Sequence, residues 1–326
     1  MRRVSVIIPT YNRSEYVRQS IESALGQDYP DLEVIVIDDC STDDTPEVCR
    51  EYEGDERFTY YRNTENLGMA PNWKVALYDY ATGDWAMVLG DDDYLLDMSY
   101  LSKAMALAAE DDDIVLVHAN VRILYDNSQR TFDTNKDIPR IADGKWMFLN
   151  YEYAVYGTRN YGQTSTLFDR HKAMEIGFFQ QKILSPDRES FLKITLLGKI
   201  GFVSDVASVY RIHGQNVSYR SGINKFFDSL PAITNPYEFA RERGLVEPGK
   251  LERWKRRMIR QHAEIILTRK IAMAANKADF LGTFIRGVYK DYPFALVALL
   301  KLLSPRVLAR LLLSYTPFRK KAISRT

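Results

Sequence analysis

The stretch that decides the fold is VSVIIPTYNR, residues 4–13. Its first half, Val4 to Ile8, is a mostly apolar run of strand length, and polar residues from Thr10 to Arg13 follow at once. A short apolar run rich in β-branched residues is typical of a strand that is buried on both faces. The stretch therefore predicts a first strand inside a sheet, with a polar loop at its carboxyl end.

Strands and helices alternate over the first hundred residues. From Ser14 onward, apolar residues repeat at helical spacing until Gly26. Further strands are predicted at Glu33–Asp39, Phe58–Arg62 and Trp85–Leu89, with helices from Thr45 and after Pro71. This alternation predicts an α/β fold, a doubly wound and mostly parallel sheet with helices on both faces.

Polar clusters follow three of these strands. They are the loop from Pro9 to Arg13, the pair Asp38-Asp39, and the run Gly90-Asp91-Asp92-Asp93. Ligands of parallel sheets bind outside the carboxyl ends of the strands. We therefore expect the three clusters to line one crevice.

The acidic triplet Asp91-Asp92-Asp93 predicts a site for a divalent cation. Carboxylate oxygens are hard ligands that suit Mg²⁺ or Mn²⁺, and such a cation can bridge the phosphates of a nucleotide. A solvated acidic turn is the alternative, and it is the interpretation we favour for a second triplet, Asp111–Asp113, which precedes a strand. The pair Asp38-Asp39 either accepts hydrogen bonds from a nucleoside or caps a turn.

Together these motifs bring a known family into view. VSVIIPTYN at 4–12, VIDDCSTD at 36–43 and GDDD at 90–93 resemble glycosyltransferase family two, and the similarity runs to about residue 218. The resemblance implies the GT-A fold, a nucleotide-sugar donor, inversion at the anomeric carbon and a Mn²⁺ or Mg²⁺ cofactor. It implies that Pro9, Thr10 and Tyr11 hold the nucleobase and ribose and that Asp39 accepts from the base, usually uracil.

The resemblance also implies roles for the triplet. Asp91 would face the ribose and phosphates, and Asp92 would bind the metal. The family often has another Asp where this chain has Gly90, so the triplet is shifted, and Asp93 is a further candidate ligand.

More distant motifs complete the implied site. SPDRESFLK, residues 185–193, resembles the acidic pair and following stretch that carry the catalytic base, which places the base at Asp187. A helix N-terminal charge is the alternative role for Asp187, and Glu189 is the second candidate base. VYRIHGQNVS, residues 209–218, resembles the closing motif, in which His213 would either complete the metal shell or touch the diphosphate and Arg211 would help hold phosphate.

Two weaker candidates come from aromatic and amide side chains. Many members have an Arg near position 73, where this chain has Trp73, so Asn72 or Lys74 is a candidate contact to the sugar donor in its place. A turn at the start of a helix is the alternative role of this loop. Tyr151, Tyr153 and Tyr156 are candidates for stacking on sugar faces, with core packing as the alternative.

Charge is distributed unevenly along the chain. Residues 251–326 hold 17 Lys/Arg and 4 Asp/Glu, a net charge of +13, whereas the preceding 250 residues hold 27 basic and 39 acidic residues, a net charge of −12. Segment 293–326 is basic and rich in leucine, which predicts contact with an anionic membrane surface rather than nucleic acid. A packed helical subdomain or an oligomer contact is the alternative.

We expect three regions on this basis. Residues 1–115 form the nucleotide-sugar-binding half of the catalytic domain, 116–235 the acceptor-binding half, and 236–326 a basic helical tail. The two cysteines form no metal or disulfide pattern, so we expect a cytoplasmic protein. The basic tail adds the expectation that it is peripheral on the inner face of the cell membrane.

The expected function is transfer of a sugar from a nucleotide-diphosphate donor, with a UDP-sugar as the favoured donor, to a hydroxyl of a glycan or lipid-linked acceptor. Two alternatives are a sugar nucleotidyltransferase and an inactive nucleotide-binding scaffold. The loop after the first strand lacks the glycines of a nucleotidyltransferase phosphate loop, and intact Asp92 and Asp187 argue against an inactive protein.

Overall fold

The computed structural model describes residues 2–152, 159, 162–180, 183–214, 224–270, 282–287 and 291–296. Its strands are β1 Val4–Thr10, β2 Leu32–Asp38, β3 Phe58–Arg62, β4 Trp85–Val88, β5 Tyr94–Leu95, β6 Ile114–Tyr125, β7 Arg130–Asp133, β8 Ile141–Asp143, β9 Thr166–Asp169 and β10 Lys199–Ile212. Its helices are α1 Ser14–Leu25, α2 Thr45–Arg50, α3 Met69–Val75, α4 Tyr100–Ala108, α5 Gly144–Asn150, α6 Arg170–Glu175, α7 Pro186–Thr195, α8 Asn224–Ser229, α9 Pro231–Glu242 and α10 Pro248–Lys270. A π-helical turn, Ala76–Tyr80, continues α3.

The described strands form one sheet in the order β3-β2-β1-β4-β9-β6-β10-β5. The first four are mutually parallel, with Thr10 of β1 opposite Asp38 of β2 and Ile7 opposite Val88 of β4. The loops after β1, β2 and β4 therefore leave the sheet at one edge. This arrangement brings the three polar clusters together as expected.

The second half of the sheet departs from simple alternation. Strand β9 runs antiparallel to both β4 and β6, while β6 and β10 are parallel to each other. Strand β6 is 12 residues long and ends at Tyr125. The predicted α/β class is confirmed, and short antiparallel strands extend the parallel core.

Each face of the sheet carries its own hydrophobic core. Side chains alternate along β1, so that Ile7 packs on one face while Val6 and Ile8 pack on the other. All three are fully buried. Burial on both faces explains why the sequence of β1 is almost continuously apolar.

The last described long helix, α10, packs against the catalytic body. Trp254 is 1% exposed, and its ring stacks on Phe148 of α5 with 4.1 Å between centroids. Arg257 donates to the carbonyl oxygen of Leu149. The first part of the basic tail thus belongs to the core of the described structure. The expected division of the chain into regions 1–115, 116–235 and 236–326 stays a prediction.

Most of the expected membrane-contacting segment, 293–326, lies outside the described residues, because only 293–296 belong to them. Those four residues form a short 3₁₀ turn that contacts α10. Within the described ranges, no helix has both the length and the apolar character needed to span a bilayer.

Candidate active site

Residues from both halves of the chain line a cavity of about 650 Å³ at the carboxyl edge of the sheet. Its N-terminal wall consists of Pro9, Thr10, Tyr11, Arg13, Asp39, Asn66, Gly68, Met69, Asn72, Trp73 and Gly90 to Asp93. Its C-terminal wall comes from β6 and later segments and consists of His118, Val121, Ile123, Lys136, Tyr151, Gly162, Gln163, Thr164, Leu184, Ser185, Asp187, Arg188, Tyr210, Ser229, His262, Ile265 and Ile266.

Interlocking hydrogen bonds fix the loops after β1 and β2. The Asn12 amide donates to Ser41 Oγ at 2.9 Å, and the Thr42 amide donates to Asn12 Oδ1 at 2.8 Å. Asn12 itself has φ 51°, in the left-handed region that Asn tolerates. These contacts hold the two loops at a fixed separation on the N-terminal wall.

The two acids after β2 have different surroundings. Asp38 is fully buried and accepts from the Ser41 amide at 2.8 Å and the Tyr60 hydroxyl at 2.7 Å, so it caps the turn. Asp39 lines the cavity and accepts from the amides of Leu67 and Gly68, each at 2.8 Å. The turn-capping alternative thus fits Asp38, and of the two acids only Asp39 lines the cavity.

Asn63 joins Asp39 to Asn72, and sequence reasoning missed it. Its side-chain nitrogen donates to Asp39 Oδ1 at 3.0 Å and to Asn72 Oδ1 at 2.8 Å. Asn72 is buried and donates to the carbonyl oxygen of Ile37 at 3.1 Å. Asn72 therefore lines the cavity while its amide group also braces the end of β2.

A serine on α1 holds the backbone of the acidic triplet. Ser20 Oγ lies 3.1, 3.0 and 2.5 Å from the carbonyl oxygens of Gly90, Asp91 and Asp93. A Cβ atom at Gly90 would lie 3.0 Å from Asp92 Oδ1 and 3.1 Å from Asp93 Oδ2. A side chain at position 90 would therefore press on both carboxylates, and glycine avoids this contact.

Asp91 lies under the loop that follows β1. Its carboxylate is 3.4 Å from the Tyr11 amide and 3.9 Å from Arg13 Nε. Burial, followed by the negative charge of Asp92, raises the pKa of Asp91 to about 7. A positive charge beside Asp91 and Asp92 would relieve this repulsion.

Asp92 pairs with His213, which comes from the far end of the catalytic region. His213 Nε2 lies 2.8 Å from Asp92 Oδ2, and its ring stacks on Tyr16 with 5.1 Å between centroids. Carboxylate and imidazole are both ligands of divalent cations. The sequence-predicted partners Asp92 and His213 are thus adjacent.

Asp93 is held more tightly than its neighbours. It is buried, and its two oxygens accept from the Arg211 amide at 2.8 Å and from Thr164 Oγ1 at 2.7 Å. Burial and the charge of Asp92 raise its pKa well above the ordinary value. These contacts tie the triplet to β10 and to the turn before β9.

The Arg211 guanidinium lies among aromatic rings. It is 4.7 Å from the Tyr16 ring centroid and 5.6 Å from that of Tyr94, and it donates to Gln19 Oε1 at 2.5 Å. In the described structure Tyr210 of β10 lines the cavity, whereas the neighbouring Arg211 does not. The structure therefore does not bring Arg211 into the cavity wall with the other predicted donor contacts.

Asp187 reaches the same cavity from the first turn of α7. Glu189, the second candidate base, is fully buried and forms an ion pair with Lys193. It does not line the cavity in the described structure. Asp187 is thus the better placed of the two acids.

Tyr151 lines the cavity while 3% exposed, whereas Tyr153 and Tyr156 lie outside the described residues.

The triplet Asp111–Asp113 lies elsewhere. Lys199 Nζ is 2.7 Å from Asp111 and 3.3 Å from Asp113, and Arg2 pairs with Asp112 at 3.0 Å. These are surface ion pairs just before β6, at the opposite end of that strand from the cavity. The predicted structural role of this triplet fits its position.

Comparison with known proteins decides the family. The profile described as "Glycosyl transferase family 2" matches residues 5–177, just over half of the chain. The chain belongs to glycosyl transferase family 2. This confirms the family that the motifs predict, and with it the glycosyltransferase class of enzyme.

The family relatives include a GalNAc(5)-diNAcBac-PP-undecaprenol beta-1,3-glucosyltransferase from Campylobacter jejuni. It is 42% identical over 98 residues, which are 29% of this chain and 31% of the relative. The match thus spans about a third of that relative's length.

Two solved structures have a similar fold. Staphylococcus aureus TarS 1-349 in complex with UDP-GlcNAc has a TM-score of 0.68 at 18% identity, covering 88% of this chain and 81% of TarS. The mannosyltransferase PcManGT from Pyrobaculum calidifontis, in complex with GDP-Man and Mn²⁺, has a TM-score of 0.54 at 19% identity, covering 96% and 86%. The expected GT-A fold is confirmed.

Proposed function

We propose that this chain transfers a sugar, with inversion, from a UDP-sugar to a hydroxyl of a glycan or lipid-linked acceptor. The observation that carries the proposal is that one cavity holds Asp39, Asp91 and Asp92 on its N-terminal wall and Asp187 on its C-terminal wall. The proposed donor site and the candidate base thus line one cavity.

The nucleoside would lie against Tyr11 and Asp39. Tyr11 is 45% exposed and lines the cavity, so its ring can stack on a base, while Pro9 and Thr10 line the same wall. A carboxylate has about four acceptor positions. Asp39 uses three of them for the amides of Leu67 and Gly68 and the side chain of Asn63, which leaves one for a uracil N–H or a ribose hydroxyl.

Asp92 and His213 would hold a divalent cation, Mn²⁺ or Mg²⁺. Within the described ranges no group of three or more metal-ligating side chains converges. Two protein ligands nevertheless fit such an ion when phosphate oxygens and water complete its shell. When bound, the cation would neutralise charge on the departing diphosphate.

The geometry favours a positioning role for two other predicted contacts. Both carboxylate oxygens of Asp93 already accept hydrogen bonds, from Arg211 and Thr164. The backbone of Arg211 is therefore part of the support for the triplet. In this proposal Asp93 and Arg211 fix Asp92 and His213 in place.

Asp187 would act as the general base. The acceptor oxygen attacks the anomeric carbon, the bond from that carbon to the diphosphate oxygen breaks, and the hydroxyl proton moves to a carboxylate oxygen of Asp187. Attack from the side opposite the leaving group inverts the configuration. The role requires Asp187 to be ionised when the acceptor binds.

Donor hydrolysis provides the test. A set of nucleotide sugars is incubated with the protein and Mn²⁺, and release of nucleoside diphosphate is measured. We expect activity with a UDP-sugar, its loss in Asp92→Asn, and wild-type activity in the matched control Asp112→Asn, which changes an exposed surface acid. Asp187→Asn should bind UDP normally and fail to transfer. Full transfer by Asp187→Asn would remove the proposed base, and equal hydrolysis by Asp92→Asn would remove the proposed metal ligand.

The tail supports a further part of the proposal, contact with the inner face of the cell membrane. Its support is the charge of residues 251–326, 17 Lys/Arg against 4 Asp/Glu. Each basic side chain near an anionic bilayer contributes about 1 kcal/mol. The protein would then bind peripherally, beside a lipid-linked acceptor.

A further inference from the structure

The charges that line the cavity are divided between its walls. The N-terminal wall has four carboxylates and one cation, Arg13. The C-terminal wall has two cations, Lys136 and Arg188, with Asp187 as its one carboxylate among the described lining residues. The proposed function uses neither Lys136 nor Arg188.

Lys136 is held at the cavity by a braced segment. Its amide donates to Asn120 Oδ1 at 3.0 Å, and Thr134 Oγ1 lies 3.2 Å from the same oxygen. Asn120 in turn donates to the carbonyl oxygen of Ser204 at 2.7 Å, which ties the segment to β6 and β10. The position of Lys136 is therefore fixed by the sheet and is not that of a free surface lysine.

Burial acts against the charge of Lys136. It lowers the pKa of the ammonium to about 8, and the carboxylate of Glu152 only partly opposes this shift. The same ammonium acts electrostatically on buried His118 of the cavity wall. An anionic ligand would stabilise an ammonium in this setting.

Arg188 lies next to the proposed base in the first turn of α7. Its guanidinium interacts with the buried hydroxyl of Tyr151, opposing the rise that burial causes in the pKa of that tyrosine. The adjacent wall is apolar, with Leu184, Ile265 and Ile266. Apolar surroundings exclude water and strengthen charge pairing.

We propose that the acceptor carries an anionic group, a carboxylate or a phosphate, which Lys136 and Arg188 bind while Asp187 faces the acceptor hydroxyl. The inference rests on the proposed function, because it takes the C-terminal wall as the acceptor wall. It narrows the acceptor to glycans or lipid-linked sugars that carry negative charge close to the reacting hydroxyl.

The test measures binding of three simple glycosides to the full chain in the presence of Mn²⁺ and UDP. The probes are a neutral methyl glucoside, a methyl glucuronoside and a methyl glucoside 6-phosphate, and calorimetry or ligand-observed NMR gives each Kd. We expect at least one charged probe to bind about tenfold or more tightly than the neutral one, since a hydrogen bond to a charged group has about that effect. The preferred probe identifies carboxylate or phosphate as the recognised group.

Variants assign the preference. Lys136→Met and Arg188→Met should each remove the preference for the charged glycoside. The control Lys145→Met, which changes an exposed lysine on α5 outside the cavity, should keep this preference. Thermal melting reports folding, and Arg188→Lys provides a milder variant if Arg188→Met is unstable. The Kd of UDP should be unchanged in all of them.

Two results would overturn the inference. One is equal binding of all three glycosides; the other is a loss of UDP affinity in Lys136→Met with unchanged glycoside preference, which would assign the cations to the donor. The UDP and Mn²⁺ titration stands as a separate arm. If UDP does not bind while the charged glycoside does, the donor proposal fails and the anion site stands.

Discussion

Replacing Trp254 by alanine should destabilise the protein by about 3 to 5 kcal/mol, although the residue lies far along the chain from the motifs of β1 and β2. The indole is 1% exposed and stacks on Phe148 of α5 at 4.1 Å. A Trp side chain buries about 150–250 Å², and at about 25 cal/mol per Å² this corresponds to about 4–6 kcal/mol. Measured Phe or Trp to Ala changes are about 3–5 kcal/mol.

The indole N–H of Trp254 moves the expected loss of stability toward the lower end of this range. The indole nitrogen of Trp254 is buried and has no hydrogen-bond partner in the described structure. An unsatisfied buried donor costs about 1–3 kcal/mol, and the alanine variant no longer has it. Trp254→Phe is the matched control, because it keeps an aromatic ring on Phe148 and removes the N–H. Its loss should be about 1 kcal/mol or less.

Urea unfolding followed by far-UV circular dichroism gives the free energies, and hydrogen exchange locates the effect. In Trp254→Ala, amides of α5 and α10 should lose protection together, because the two helices share one core. If α10 alone exchanges faster while the urea midpoint and α5 stay unchanged, then α10 is a separate unit and the packing argument is wrong.

Three further predictions concern other parts of the chain. Gly144→Ala should destabilise by about 3 kcal/mol or more in urea unfolding, because its Cβ would lie 1.8 Å from the carbonyl oxygen of Thr195; an unchanged midpoint would contradict it. Since the pKa of Lys136 is lowered to about 8, from an ordinary value of about 10.4, its ammonium is lost as pH rises through 8, so binding of the charged glycoside should weaken between pH 7 and 9 while the neutral glycoside binds equally across that range. Deleting 297–326 should abolish co-sedimentation with anionic vesicles and keep UDP binding; unchanged sedimentation would place the membrane contact elsewhere or remove it.

The sequence was most informative where burial on two faces leaves few choices. Strand β3, Phe58–Arg62, and the start of α1 at Ser14 agree with their predicted positions. Because both faces of the central strands are covered by helices, the apolar runs are nearly continuous and easy to locate. Since parallel strands end at the same edge of a sheet, the position of the polar residues that follow these strands could also be predicted.

Antiparallel additions to the sheet were not predictable in this way. Strand β9 has four residues and pairs with β4, about 80 positions earlier, and with β6. Strand β5 has two residues. Such short segments have no periodicity of their own, and their pairing depends on contacts that are distant in sequence.

The acidic triplet illustrates a second limit. The three residues of the triplet are all aspartates, yet their partners differ. Asp93 accepts hydrogen bonds from Thr164 and the Arg211 amide, while Asp92 contacts His213. Each partner comes from a segment more than 70 positions away. The residue type predicts the chemistry of the triplet, and only the fold divides the roles within it.

The same reasoning explains why the C-terminal wall was largely missed. Sequence patterns present α10 as a basic helix, but His262, Ile265 and Ile266 line the cavity while Trp254 anchors the helix to the body. These residues lie far beyond the region matched by the family, 5–177. The N-terminal wall, which we propose to bind the donor, is therefore built from motifs that a family can share, whereas part of the opposite wall is built from a helix outside them. Because the acidic triplet is held by Ser20 of α1, by Arg211 of β10 and by Thr164, and none of these lies on α10, we expect substitutions on α10 to alter the proposed acceptor wall without moving Asp91 or Asp92.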